Sequence, residues 1–249
     1  YVYQNIKKNV HLASISGGTD IVSCFVLGNL YQSVNLGEIQ NKGLALDVDI
    51  FDDKGNSLRN TKGELVCKNP FPSMPLKFWN DKNDIKFKNA YFSRFKNIWH
   101  HGDYAEAKKT GGFIIHGRSD TTLNPGGVRL GTAEIYSEVE KFDEIKESIV
   151  VGQSWDNDVR IILFVVMNNN FELTANLALK IKLRIKNNTS PRHVPSKIIV
   201  VKDIPRTKSG KIVELAVKNT IEGTKLGNKE ALLNPKVLDY FKNLKELNY

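Results

Sequence analysis

The most apolar stretch of the chain, "RIILFVVM" at 160–167, has the length of a buried strand and falls short of the roughly 20 residues that cross a bilayer. The pattern around it predicts an α+β unit: a loop with Gly126 and Gly127, a helix over 132–142, strands at 146–152 and 159–167, a helix over 172–187, a strand at 197–202 and a helix over 212–221. Helices on one small sheet, in two packed layers, would bury the apolar faces of all of these. The tail after 222 reads as one short helix and a frayed end.

The first half has a different rhythm. "VHLASISGGTDIV" reads as a short buried strand, a small-residue turn and more apolar chain. From 34 to 68 alternation is broken by turns, and "ALDVDIFDDKGNSL" places Asp-Lys-Gly-Asn between two extended runs, which predicts a β-hairpin in a small antiparallel sheet or barrel. Pro70, Pro72 and Pro75 break regular structure ahead of a helix or loop around "FWNDKNDIKF". "IWHHGDYAEAKKTGGFIIHGRSD" then reads as strand, turn, strand and an abrupt polar exit. A domain boundary is placed there, near Asp120, giving domains 1–119 and 120–249.

Composition narrows the classes. The 249 residues are 41% hydrophobic and 25% charged, as expected for a globular chain of one or two domains. The net charge of +9 would suit an anionic partner, but the lysines are spread along the chain without the basic and aromatic pattern of a nucleic-acid surface, so they read as solvated faces. No nucleic-acid or membrane partner is expected. Cys24 and Cys67 lie far apart with no metal-binding spacing, which points to a reducing compartment and, with no signal-peptide order at the start, to the cytoplasm. The sequence opens without methionine and runs at once into strand-like chain, so it is expected to begin inside a larger protein.

Four stretches carry candidate chemistry. In "SGGTD" at 16–20 two glycines allow close approach of a ligand, Thr19 can donate to a phosphate oxygen and Asp20 can hold Mg2+; the same residues also make a good tight turn. In "HHGDYA", Asp103 can accept two hydrogen bonds from a ribose diol or can cap a turn, while His100 and His101 have no second ligand cluster and read as structural. "GRSDTTLNPGGVRLG" brackets a Gly-Gly turn with Arg118 and Arg129, side chains whose rigid donor fork matches phosphate oxygens. "DIPRTKSGKIVE" carries a Gly-Lys pair, yet no glycine stands five residues before Gly210 and Ile212 replaces the Mg2+-binding hydroxyl, which excludes the Walker-type phosphate loop.

Taken in order, "SGGTD", "HHGDYA", "GRSDTTLNPGGVRLGTAEIY" and "IPRTKSGKI" resemble the later core motifs of the adenylate-forming superfamily of acyl-CoA synthetases, over essentially the whole chain. "SISGGTDIVSCF" and "KGELVCKNPFPSMPLKFWND" are most similar to the members that activate acetoacetate. The resemblance implies a mixed α/β and α+β adenylate-forming fold in truncated form: the C-terminal part of the large domain with its small β-barrel, and a small mobile α+β C-terminal domain. It implies ATP, Mg2+, coenzyme A and acetoacetate as cofactor and substrates. Gly17 and Gly18 would line the adenine and acyl pocket, Thr19 would bind the α-phosphate, and Asp20 would replace the usual metal-binding glutamate with a shorter reach. Asp103 would hold the ribose hydroxyls with help from Arg118, Arg129 would contact phosphate, and Gly126 and Gly127 would admit the pantetheine arm. Asp120 would be the hinge, and Lys211, rather than Lys208, the lysine of adenylation. The superfamily's own phosphate loop has no counterpart in these 249 residues, so the chain by itself is not expected to complete adenylation. A ligase for another short acyl group and a non-catalytic binding module are the alternatives. The oligomeric state is not legible.

Overall fold

The computed structural model describes residues 1–225 and 231–249, and these form two compact units, Tyr1–Ser119 and Asp120–Tyr249.

In the first unit, strands β1 (Ser16–Gly18), β2 (Ser23–Leu27) and β3 (Asn41–Lys42) form one antiparallel sheet. Strands β4 (Val48–Phe51), β5 (Lys62–Cys67), β6 (Trp99–Ala107) and β7 (Phe113–Arg118) form a second, in sequence order, with helix α1 (Ile85–Tyr91) inserted before β6. Reciprocal backbone bonds between Ile39 and Phe113, both 2.8 Å, tie the two sheets edge to edge, so the small antiparallel sheet expected here is present. The predicted hairpin is β4–β5. Its turn is closed by the Asp52 carboxylate, which accepts from the Lys54 and Asn56 amides, and by Gly55 at φ +85°. Phe25, Phe71, Phe87 and Trp99 build the core with edge-to-face and tilted ring contacts.

The reading of "VHLASI" as a buried strand fails. Residues 7–15 form no strand and Leu12 and Ile15 are exposed, because no described strand pairs with them. The strand starts at Ser16 instead, and the two glycines read as a turn lie within it. A Cβ on Gly17 would stand 2.3 Å from the Ser23 carbonyl oxygen and 2.5 Å from Cys24 Cα, so only glycine permits the β1–β2 approach. The turn itself is residues 19–22.

In the second unit, helix α2 (Thr132–Val139) precedes the β8 (Ile145–Trp155) and β9 (Asp158–Met167) hairpin; α3 (Ala175–Asn188) crosses to β10 (Lys197–Val200), which pairs parallel with β9, and α4 (Glu214–Ile221) follows. The hairpin turns on Asp156 and Asn157, both at positive φ, the two-residue geometry that matches strand twist. The apolar run is continuous because both faces of β9 are covered. Ile161, Leu163 and Val165 pack with α2 and α3 residues Ile135, Val139, Leu177, Ile181 and Ile185, while Ile162, Phe164 and Val166 pack with Val217 of α4 and with Val237, Leu238 and Phe241. Thr174 caps α3 by accepting from the Leu177 amide.

Those last residues correct the reading of the tail. A short helix is present, the 3-10 helix Pro235–Phe241, but the end is not frayed: Lys245–Leu247 makes a further 3-10 turn, and Phe241 is fully buried with its ring 4.9 Å from that of Phe164. Arg160 fixes the end by donating to the Leu247 and Tyr249 carbonyl oxygens.

Candidate functional site

Asp103 sits on β6, directly opposite Arg118 at the end of β7. Its carboxylate is buried and accepts from Arg118 Nη1 at 3.2 Å and from Ser16 Oγ at 3.3 Å, while Arg118 Nη1 also donates to the His101 carbonyl oxygen. The intervening Gly102 makes the pairing feasible. It lies at φ +82°, and a Cβ there would be 2.7 Å from the guanidinium. Half of the Arg118 side chain remains exposed, so the pair presents one buried acceptor and one solvent-facing donor fork.

His101, read from sequence as structural, belongs to this cluster. Its Nε2 lies 3.9 Å from Asp103 Oδ2, and its ring packs edge-on against Phe25. Trp99 Nε1 faces Nδ1 at 3.5 Å and donates to it, which leaves the proton on Nε2, the nitrogen that faces Asp103, with the Gly17 backbone also beside the ring. Burial pulls the imidazole pKa below its ordinary value against the opposing pull of Asp103, Gly17 and Asp20. The ring is therefore a neutral donor between the glycine strand and the aspartate. The signal was present in the spacing Trp-His-His-Gly-Asp, where alternation turns His101 to the same face as Trp99 and Asp103.

Asp20 is exposed on the turn after β1, and Tyr91 Oη donates to its carboxylate at 2.5 Å. Tyr91 stacks on Trp99 at 3.6 Å, and burial, then Asp20, push its hydroxyl pKa well up. A Cβ on Gly18 would collide with the Asp20 carboxylate and touch His101 Cε1 at 3.0 Å, so the structure brings Gly17, Gly18, Asp20, Asp103 and Arg118 into one neighbourhood. Thr19 is exposed on the same turn. Among the described residues no group of three or more His, Cys, Asp and Glu is placed to hold a metal ion. With one Asp20 oxygen bonded to Tyr91, a cation here would take at most the other and would need its remaining ligands from water or phosphate.

The remaining candidates lie on the second unit. Asp120 is its first residue and is exposed. Reciprocal backbone bonds between Leu123 and Leu130 pinch off a loop with Gly126 and Gly127 at its tip, at φ +58° and +72°. Two residues that sequence reasoning passed over hold that tip: the Asp158 carboxylate accepts from the Gly126 amide at 2.9 Å, and a Cβ on Gly126 would be 2.8 Å from Arg192 Nη1. Arg129 Nε donates to Thr122 Oγ1 at 3.0 Å.

Lys211 closes a small hairpin that opens at Arg206, its turn made by Gly210 at φ +84°. The Lys211 carbonyl accepts from the Thr207 amide at 2.8 Å and the Lys211 amide donates to Thr207 Oγ1 at 3.1 Å. Both Lys208 and Lys211 are exposed, and among the described residues the Lys211 ammonium makes no ion pair. Here a fixed backbone carries an unspent charge.

The sequence profile described as AMP-binding enzyme C-terminal domain matches residues 134–211, ending on Lys211 itself. The chain is 60% identical over 247 residues to an acetoacetyl-coenzyme A synthetase of Rhizobium meliloti, covering 99% of this chain and 38% of that protein. Residues 134–211 thus carry the AMP-binding enzyme C-terminal domain, and nearly the whole chain is similar to an acetoacetyl-coenzyme A synthetase. It is also 47% identical to the acetoacetyl-CoA synthetase of Xenopus tropicalis over 249 residues, 37% of that protein. The solved acetoacetyl-CoA synthetase from Streptomyces lividans superimposes with a TM-score of 0.89 at 40% identity, over 95% of this chain and 36% of that one. The chain therefore spans a little over a third of the length of the relatives it matches, and its mixed sheets and helices superimpose on that part of the Streptomyces lividans enzyme. Among the described residues no helix is long and apolar enough to cross a membrane.

Proposed function

We propose that this chain serves AMP-forming ligation of acetoacetate to coenzyme A. The observation that carries the proposal is its 60% identity, over nearly its whole length, to a protein named as an acetoacetyl-coenzyme A synthetase. In the first step a carboxylate oxygen of acetoacetate bonds to the α-phosphorus of ATP, and the bond to pyrophosphate breaks. In the second the coenzyme A thiol, losing its proton, bonds to the acyl carbon, and AMP leaves.

Each group has a place in this reading. Asp103, buried and held by Arg118, Ser16 and the neighbouring His101, is a preorganised acceptor for both ribose hydroxyls. Gly17 and Gly18 present backbone to the adenine and acyl groups, and Thr19 on the exposed turn meets the α-phosphate. Mg2+, when bound, would neutralise phosphate charge, with Asp20 as its single ligand from this chain. Arg129 and the Gly126–Gly127 tip would serve phosphate and the pantetheine arm on the second unit. Asp120, where the units meet in sequence, would absorb the dihedral change between the two steps.

Lys211 would stabilise the negative charge that builds on the α-phosphate and the attacking carboxylate, a role worth about 10²–10³ in rate. A cytosolic setting suits these soluble substrates.

The test is acetoacetate- and ATP-dependent AMP release by the complete product of the gene that encodes this chain, with Lys211→Ala alongside. Release with acetoacetate in preference to acetate, lost in the variant while thioester formation from preformed acyl-adenylate persists, supports the reading. A product that binds none of ATP, AMP and coenzyme A would be a non-catalytic module.

A further inference from the structure

The lysine hairpin meets the sheet at its base. Arg206, at that base, is bonded through its backbone and through both terminal nitrogens of its guanidinium. Its amide donates to Asn234 Oδ1 at 2.9 Å, and its carbonyl accepts from the Leu233 amide at 2.8 Å. One arm of its guanidinium donates to the Gly210 carbonyl at 2.9 Å, across the turn and next to Lys211, while the other meets Glu147 of β8 at 2.8 Å. Asn234 in turn donates to the Asp203 carboxylate and the Ile204 carbonyl, stitching the approach to the hairpin. The segment bearing Asn234 lies alongside the hairpin's first arm, through the Thr207–Leu232 bridge and the bond from the Lys208 amide to the Ala231 carbonyl.

We infer that Arg206, with Asn234, is the positioning residue for Lys211: it fastens the lysine hairpin to the sheet through Glu147 and to the C-terminal segment through Asn234. This rests on the role proposed above for Lys211. The physical case follows from what a lysine lacks. Its ammonium is a point charge on a flexible stem, so its reach toward an oxyanion is set only by where its Cα is held. Among the described residues the arginine makes the ion pair from this loop to the sheet: Thr207 binds Lys211 within the hairpin, Ile212 and Lys211 are both exposed, and the chain next packs on the core at Val213. Arg206 is also suited to the task in a way that lysine is not. A planar fork can satisfy Glu147 and Gly210 together, whereas an ammonium at the same position would favour the carboxylate and release the turn.

Two readouts test the inference. In this chain, amide hydrogen exchange reports the bonds from Gly210 N–H to the Thr207 carbonyl and from Lys211 N–H to Thr207 Oγ1. Arg206→Ala should speed exchange at both while β9 amides keep their protection, with Arg206→Lys intermediate and Asn234→Ala similar to Arg206→Ala. Unchanged exchange at Gly210 and Lys211 in a folded Arg206→Ala chain overturns the anchoring.

In the complete gene product, Arg206→Ala should slow adenylation by up to about 10²-fold, the scale of an ångström-sized misplacement. Thioester formation from preformed acyl-adenylate should stay intact. Added to Lys211→Ala, it should cost nothing more, because it acts through the lysine. Multiplying losses, or equal losses in both steps, would show a merely structural arginine. Full adenylation by Lys211→Ala alone would instead overturn the role assigned to the lysine, and the exchange data would still decide whether Arg206 anchors the hairpin.

Discussion

The two candidate sites solve opposite problems. Around Asp103 the side chains are spent on one another: the carboxylate is buried and engaged by Arg118 and Ser16, with His101 beside it. Around Lys211 the backbone is spent and the side chain is free. The difference follows from what each would have to recognise. Hydroxyl groups are told apart from water by an acceptor whose position is fixed before the ligand arrives, and fixing it requires burial and partners. Charge that exists only in a transition state is met by a cation that must not be neutralised beforehand, so the cation stays solvated and precision is delegated to the chain beneath it. A buried site advertises itself by its contacts, and an exposed one by the bonds of its base.

If the Lys211 hairpin depends on what lies beneath it, the largest effect should come from a residue far from any ligand. Phe241→Ala removes a fully buried ring packed against Phe164 and should cost the second unit about 3–5 kcal/mol. Denaturant unfolding of the chain, read with a probe in each unit, should show the second transition moving and the first unmoved. Equal stability of the variant and the parent would return the tail to the status of a loose end.

Next in size is the contrast between the two sites themselves. Asp103→Asn keeps the shape but removes the charge from the acceptor, which should weaken nucleotide binding by about 1.5–3 kcal/mol, the worth of hydrogen bonds to a charged group. AMP titration by calorimetry of the complete gene product measures it. Lys211→Ala should leave both AMP affinity and the midpoint of unfolding almost untouched, as for any exposed side chain without a partner. A Lys211 variant that lost AMP affinity as Asp103→Asn does would erase the distinction drawn here.

A smaller effect tests the support under α4, the helix that follows the lysine. The buried Tyr136 hydroxyl accepts from the Val150 amide at 3.0 Å and donates to Glu214 at 2.5 Å, joining β8, α2 and α4. Burial, then Glu214, hold the tyrosine in its neutral form. Tyr136→Phe should destabilise the second unit by about 1–2 kcal/mol through the partners left unpaired, again visible in the unfolding midpoint.

What could be read from sequence divides along the same line. The sheet of the second unit was legible because both faces of β9 are buried, which turns the seven residues 161–167 into one apolar run. The tail was misread as partly frayed although Val237, Leu238 and Phe241 carry a usable apolar spacing, since Pro235 and the lysines around them look like a chain end. Residues 10–15 were misread for the opposite reason: they are apolar without a partner strand. Asp103, Arg118 and Lys211 are named through motif order. His101, Tyr91 and Asn234 are not, because each acquires meaning from a residue distant in sequence: His101 meets Gly17, Tyr91 meets Asp20 and Asn234 meets Arg206. Local pattern predicts elements, whereas such contacts exist only after the elements have packed.

The smallest effect is one of pH, and it belongs to the first unit alone. Burial holds the pKa of His101 below 6.5, its ordinary value, despite the facing carboxylates of Asp103 and Asp20 and with some help from Arg118. Between the lowered value and 6.5 the unfolded chain therefore binds a proton that the folded chain refuses. Stability of the first unit should rise with pH through that window and be lost as pH falls below about 6.5. The carboxylates held low act elsewhere on the scale: burial works to raise the pKa of Asp49, but Arg59, the Ile50 amide and Ser57 outweigh it, so its contribution is present above 3.8 and fades only as pH falls below. His101→Gln keeps a side-chain amide to donate toward Gly17 and removes the titration, so its stability profile should be flatter from about pH 6.5 downward until the carboxylates begin to protonate. Chemical denaturation at half-unit pH intervals would resolve the two segments. A parent chain with no slope below pH 6.5, or a variant that keeps the slope, would mean that the imidazole is not the neutral donor on which the Asp103 site is built.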